Sequence, residues 1–237
     1  MDSQILVLAS AAASIGFVHT ALGPDHYIPF IALSKSQNWS KFKTVWVTTI
    51  SGIGHVGSSI LIGVFGYLIG ITLFSLESLE SIRANVAGWS LIILGLLYTI
   101  WGIKKSFKNE THSHLHVHSD GTLHNHTHNH KSSEHIHIHE DTKSNITPWI
   151  LFIIFVFGPC EPLIPLLIYP AAEHNVFAVV LISTIFGIVT IGTMLVIVFL
   201  GLYGLSIVPM KKMQKHIHTL AGVSILLCGI AVQFLGL

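Results

Sequence analysis

The chain has 237 residues, of which 51% are hydrophobic and only 10% charged, with a formal net charge of +1 and a mean hydropathy of +0.69. A charged fraction of about 25% is usual for soluble domains, so this composition excludes an ordinary soluble protein and points to an integral membrane protein of several spans. Near-neutral charge offers no footprint for nucleic acid, and two cysteines, Cys160 and Cys228, do not make a disulfide framework.

Six apolar segments reach the length of about 20 residues that a bilayer demands. They run Ile5–Leu33, Thr44–Phe74, Asn85–Ile103, Pro148–Ala172, Val176–Ile207 and Thr219–Leu237. No basic stretch or small-residue cleavage site precedes the first, which reads as a retained span and not a signal peptide. The expected fold is an all-α integral membrane protein of six transmembrane helices, with helices one and four broken at proline. Its parts are a first three-helix repeat (1–103), a His-rich loop (104–147) and a second three-helix repeat (148–237).

Loop charge sets the expected orientation. Lys35, Lys41, Lys43, Lys104, Lys105, Lys108, Lys131, Lys143, Lys211, Lys212 and Lys215 fall on one side. Only Arg83, with Glu77, Glu80 and Glu173, falls on the other, so the lysine side is read as cytoplasmic and both termini as external. The expected location is the plasma (inner) membrane of a prokaryote. On these boundaries no Lys or Arg lies inside a span.

An internal repeat supports the two halves. At an offset of 135, Gly23-Pro24 falls on Gly158-Pro159, Asp25 on Cys160, His26 on Glu161, Gly57-Ser58 on Gly192-Thr193 and Gly66 on Gly201. At an offset of 134, Ala87-Gly88 falls on Ala221-Gly222, Ser90 on Ser224, Gly95 on Gly229 and Gly102 on Gly236. Each half has an odd number of spans, so the halves enter the membrane in opposite directions. Inverted repeats with broken helices near the midplane are a transporter arrangement.

Ionisable residues in an apolar run are expensive and read as functional. His19, Asp25 and His26 lie in the first span, and His19 and His26 are separated by about two helical turns, which puts them on one face. Gly23 and Pro24 between them should break the helix and free carbonyls beside these side chains. His55 adds a second imidazole-bearing span, in the small-residue run from Ser51 to Ser59. Imidazole and carboxylate suit borderline divalent metals. In the second half, Gly158, Pro159, Pro162 and Pro165 mark the matching break, and Cys160 and Glu161 are further candidate ligands. Ser58, Thr190 and Thr193 are expected to line a path. Cys228, without polar company, reads as a packing residue.

The loop carries three alternating clusters: His112, His114, His116, His118; His124, His126, His128, His130; and His135, His137, His139. Without apolar periodicity the segment reads as disordered when empty, and its imidazoles as metal-binding, for buffering or delivery. His174, His216 and His218 read as solvated.

With these residues in view, the chain resembles the nickel/cobalt permeases and nickel/cobalt efflux proteins (the NicO-type superfamily). Those permeases carry H-x4-D-H, where this chain has H-x5-D-H from His19 to His26. Gly54-His55-Val56-Gly57-Ser58 looks like their second Gly-His-Ser region, and the His-rich loop is similar to the efflux branch. The permeases usually have eight spans, against six here. The chain also looks like urease-accessory-like membrane domains. The resemblance implies that His19, Asp25, His26 and His55 are metal-path residues, with nickel or cobalt favoured, zinc allowed, and efflux weakly favoured. Pro159-Cys160-Glu161-Pro162-Leu163-Ile164-Pro165 is instead similar to the Pro-Cys motif of membrane thiol–disulfide reductases of the cytochrome-biogenesis class. Those use one cysteine in each repeat, whereas here Asp25 stands opposite Cys160.

The expected function is therefore transport of a divalent transition-metal ion. One half would rock against the other, and protons would couple through Asp25, Glu161 or histidine. The chain is read as no enzyme, with no permanently bound cofactor. Its partners would be the lipid bilayer and the metal ion, with a homo-oligomer left open. The alternatives are a membrane thiol or electron-transfer module, a metal-binding accessory protein that moves nothing, and a sulfite-type anion exporter. The lack of a cation inside any span counts against the last.

Overall fold

The computed structural model describes residues 3–108, 112–117, 123–128, 146–207 and 214–235. Its membrane part is wholly helical. α1 (Ser3–Leu22) ends at Gly23, and a single 3₁₀ turn, Pro24–His26, leads into α2 (Ile28–Ser36). Pro24 lacks an N–H and crowds the preceding turn, so α1 cannot run on. Then come α3 (Lys41–Leu68) and α4 (Leu73–Lys108). The second half begins with α5 (Thr147–Phe157) and α6 (Leu163–Ala172), followed by α7 (Val176–Ile207) and α8 (Ile217–Leu235).

Among the described residues, five helices are long and apolar enough to cross a membrane: Ser3–Leu22, Lys41–Gly66, Phe74–Phe107, Val176–Ile207 and Gln214–Leu235. The expected fourth span, Pro148–Ala172, is two short helices of 11 and 10 residues, neither of which crosses alone. Gly158 ends α5 in an extended conformation, and Pro162 caps α6. Pro165 does not break the chain as expected. It lies in the first turn of α6, where its missing N–H has no intrahelical partner to lose.

The expected third span also moves. α4 starts at Leu73, well before Asn85, so Glu77, Glu80 and Arg83 are helical and not in a loop. Glu80 and Arg83 are buried, at 1% and 8% exposure, so a cation does lie inside a membrane-length helix. The reason is pairing, described below. α4 likewise continues through Lys108, taking Lys104 and Lys105 out of the loop.

Between α4 and α5 the chain forms an antiparallel ribbon, β1 (His112–Val117) with β2 (Leu123–His128), where no regular structure was expected. The remainder of the expected loop, with His118, His130, His135, His137 and His139, lies outside the described residues.

The helices pack in corresponding pairs. α1 lies on α7 as α5 lies on α3; α2 meets α7 and α8 as α6 meets α3 and α4; and α3 meets α7 as α4 meets α8. One core gathers Phe30, Leu33, Val47, Leu151, Phe155, Met194, Val198 and Ile225. A second gathers Ala12, Val56, Cys160, Leu163, Ile182 and Phe186.

The α4–α8 contact is the closest. A Cβ on Gly95 would enter the backbone of Leu226, one on Gly102 that of Thr219, one on Gly222 that of Thr99, and one on Gly229 that of Ile92. Small residues let membrane helices approach to this distance. Gly95→Ala is expected to destabilise the protein by about 1–3 kcal/mol, as overpacking does. Gly57→Ala, which meets nothing within 4 Å, should be neutral. Thermal unfolding of the two detergent-solubilised variants against the parent checks this.

Candidate metal centre

Three imidazoles meet where the first helix breaks. α1 carries His19 in its last turn, the 3₁₀ turn carries His26, and α3 carries His55. Each offers a nitrogen, and the three lie within 4.8 Å of one another. His26 Nε2 is 3.3 Å from His55 Nε2. The His19 ring stands edge-on to His26 at 4.8 Å and parallel to His55 at 6.3 Å, with Phe155 packed against His26 and His55 from α5. Glycines make the room. A Cβ on Gly23 would fall 2.5 Å from His26 Nδ1, and one on Gly158 would fall 3.2 Å from His55 Nδ1.

The hydrogen-bonding pattern fixes one tautomer. His26 Nδ1 lies 3.0 Å from Asp25 Oδ1 and 3.2 Å from the Gly23 carbonyl. Carboxylate and carbonyl oxygens only accept, so Nδ1 carries the hydrogen and donates. In the neutral ring Nε2 is then a lone pair, 3.3 Å from His55 Nε2. A carboxylate behind a histidine in this way is the usual second layer of a metal site, orienting the ring and raising its basicity. Asp25 is thus placed behind His26 and outside the three-nitrogen group.

The donor set fits an ion of borderline softness. Buried polar atoms normally find partners, and each failure costs about 1–3 kcal/mol. Among the described residues, His19 Nε2 is buried without one. A tetrahedral metal with bonds of about 2.0–2.1 Å sets its nitrogens roughly 3.4 Å apart. The His26–His55 pair has that spacing already, and the wider pairs need to close by about an ångström.

The second break is held differently. Arg83 Nη2 donates to the Val156 carbonyl at 2.9 Å, the Gly158 carbonyl at 3.0 Å and Ser58 Oγ at 2.6 Å. Its Nη1 donates to Ser59 Oγ at 3.1 Å and pairs with Glu80 Oε1. Glu80 Oε2 in turn accepts from Ser59 Oγ at 3.2 Å and from Cys160 N–H at 3.1 Å. The carbonyls freed by Gly158 and Pro159 are therefore satisfied by α4. This pair escaped the sequence reading, which put both residues in an outer loop. The only available signal was their separation of three residues at the edge of an apolar run. With both of its Nη groups engaged in these bonds, Arg83 does not stand as a free cation for a bare anion.

The other expected site residues are scattered. Cys160 is fully buried among Ala12, Val56 and Leu163, and Glu161 is exposed; neither joins the three-nitrogen group. Ser58 bridges the His55 carbonyl at 2.8 Å to Arg83. Thr190 is fully buried with an unpaired hydroxyl, and Thr193 is half-buried. Cys228 is buried on the wall of an apolar groove with Pro24 and Ile28. His218 is not simply solvated: its ring is half-buried beside Trp101, with Nδ1 3.1 Å from Tyr98 OH and Nε2 2.9 Å from Lys105 Nζ.

The ribbon opposes His112 to His128, His114 to His126 and His116 to His124. Directly opposed residues of an antiparallel ladder share a face, as do alternate residues of one strand. Six histidine positions thus lie on one face of the ribbon.

Residues 28–231 match the family described as Cytochrome C biogenesis protein transmembrane region. The chain belongs to that family. The match overturns the resemblance to the nickel/cobalt permeases, whose hallmark this chain already missed by one residue. It covers His55, the Arg83–Glu80 pair and Cys160, while His19, Asp25 and His26 precede it. No curated protein and no solved structure matches the chain. The protein is accordingly a membrane-embedded helical module of the cytochrome-biogenesis type.

Removing one partner of a buried ion pair costs about 3–5 kcal/mol, because the other charge is stranded. Arg83→Met should therefore lower the thermal unfolding midpoint sharply. The double variant Glu80→Gln/Arg83→Met should recover part of the loss, the two midpoints being compared in the same detergent.

Proposed function

We propose that this family member handles a divalent transition-metal ion inside the membrane, binding it at His19, His26 and His55 and passing it across. The observation that carries the reading is the convergence of three imidazole nitrogens within 4.8 Å, one of them backed by Asp25. Three neutral imidazoles suit cobalt, nickel, copper or zinc, and the choice among them rests on this donor set alone. The ion is substrate, not resident cofactor, and the reaction involves no covalent chemistry.

The corresponding helix pairs, and the glycines that align at an offset of 134 and meet across α4 and α8, support an inverted repeat. On that reading α1–α2 answers to α5–α6, α3 to α7 and α4 to α8. Lys35, Lys41, Lys43, Lys105 and Lys108 share one end of the bundle, which the positive-inside rule places in the cytoplasm of a prokaryotic cell. The ribbon follows α4 in the chain, and its histidines would collect ions at that end.

In detergent, Co²⁺ binding should produce the visible absorption of nitrogen-bound cobalt. His26→Ala and His55→Ala should each abolish the component of highest affinity. Asp25→Asn should weaken it by about 10–100-fold, as loss of a second-layer partner does. Affinity should fall as pH is lowered, because protons compete with the ion for the imidazole nitrogens. A titration repeated at successively lower pH reads this; affinity that does not fall before the protein unfolds would exclude histidine ligands.

Transport is tested by Co²⁺ uptake into sealed proteoliposomes. His26→Ala and Asp25→Ala should reduce the flux at least to about a tenth, in line with the loss of affinity. Flux equal to the parent's in both variants sinks the assignment.

A second reading, thiol or electron transfer, is favoured by the family and by the seat of Cys160 at the second break. Both cysteines are free, and Cys160 and Cys228 sit in separate surroundings. A relay needs thiols that can meet. On this reading Cys160→Ser abolishes activity and a mixed disulfide can be trapped. On the metal reading the same variant carries Co²⁺ as the parent does.

A further inference from the structure

One face of α3 is polar from Thr44 to Ser59 and faces protein. Thr44, Thr48, Ser51, His55 and Ser59 follow at spacings of three and four residues, and all are at most 2% exposed. A mid-helix hydroxyl in lipid ordinarily donates to the carbonyl four residues back. In this chain Thr20, Thr44, Thr99, Ser106 and Thr184 do so.

Thr48 Oγ1 and Ser51 Oγ do not. Each is fully buried and has no partner among the described residues. α7 carries two more such groups, Ser183 Oγ and Thr190 Oγ1. Thr190 Oγ1, also fully buried and unpaired, lies 3.4 Å from where a Cβ on Gly16 would sit, one turn before His19. Its neighbour Ile191 packs on Gly52, next to Ser51.

The two ends of the stripe differ. Toward Lys41, Thr44 Oγ1 lies 2.8 Å from Ser34 Oγ, and from there to His55 the hydroxyls are unsatisfied. Beyond His55, Ser59 is saturated by Glu80 and Arg83. Unpaired hydroxyls in series are what water or a hydrated cation requires. A buried ion pair with its hydrogen bonds complete is what closes such a route.

We infer that the α3 face from Thr44 through Thr48 and Ser51 is a hydrated half-channel. Through it a divalent cation passes between the Lys41 end of the bundle and the three histidines, while Glu80 and Arg83 close the far end. This rests on the metal reading of the histidines and adds the route and its side. The hydroxyls supply oxygen contacts as the ion sheds water, and His55, one turn beyond Ser51, receives it.

The test is side-specific thiol labelling of the full chain in sealed vesicles, with Cys160 and Cys228 replaced by alanine. Single cysteines are placed at Thr48, at Ser51 and, as control, at Val47, whose side chain lies in the apolar core. The probe is the ethylammonium methanethiosulfonate cation. Thr48→Cys and Ser51→Cys should react about tenfold faster than Val47→Cys, since a thiol buried in apolar surroundings is inert. They should do so only from the Lys41 side, and more slowly with Co²⁺ present. Rates equal to the control's, or equal from both sides, overturn the half-channel.

Should the cysteine variants fail to fold, Thr48→Val and Ser51→Ala are followed by stopped-flow Co²⁺ binding. Arrival should slow about tenfold with an unchanged end-point, because the oxygen contacts are lost and the histidines are kept; an unchanged rate overturns the route. Co²⁺ bound at the histidines with inert cysteines rejects the route alone. Labelling of Thr48→Cys and Ser51→Cys, when the parent binds no Co²⁺, rejects the metal reading and leaves an aqueous path.

Discussion

A helix that breaks inside a membrane leaves carbonyls and N–H groups with no water to receive them, and the rest of this structure answers that constraint. The chain breaks twice. At the first break His26 takes up the load: its N–H donates to the Gly23 carbonyl at 3.1 Å, and its ring donates to the same carbonyl. At the second, Arg83 reaches across from α4 to take two carbonyls, and Glu80 takes the Cys160 N–H. One break thus assembles a group that can bind an ion, and the other is neutralised and closed. Both are needed to bring α3 into place, because His55 faces the first and Ser58 and Ser59 face the second.

This division explains why a single helix carries so much polarity at depth. α3 touches both breaks, and its buried face runs between them. Burial against α7 and α5 protects it from lipid, with Gly52 and Gly54 giving those neighbours close access. Phe30 and Phe155, 4.7 Å apart, pack edge to face beside the histidine group. In such a low-dielectric setting the pairing of Asp25 with His26 counts for more than it would in water.

Much of this was legible in the residues. Gly-Pro pairs in apolar runs announce breaks, because proline's chemistry is local, and both appear where expected. His19, His26 and His55 were legible for a similar reason, since a polar group in lipid must be justified by what it does. Arg83 and Glu80 were not. Their meaning lies in carbonyls more than seventy positions away, and no local pattern distinguishes a buried ion pair at a helix start from a loop. Asp25 was read as a ligand; only the geometry shows it behind His26. The ribbon was missed because alternating histidines carry no apolar signal, although the period of two was itself a strand pattern. The family was also misread. H-x5-D-H drew attention to one relationship, while the signal that carried the true one was spread over most of the chain.

The glycine seam between α4 and α8 constrains how the molecule can work. These two helices belong to opposite halves, yet their backbones touch at four places, leaving no side-chain layer that could shear. The α4–α8 pair is thereby locked into one unit: sliding of either helix along the other would drive backbone into backbone, and α4 holds Arg83 in place against the second break.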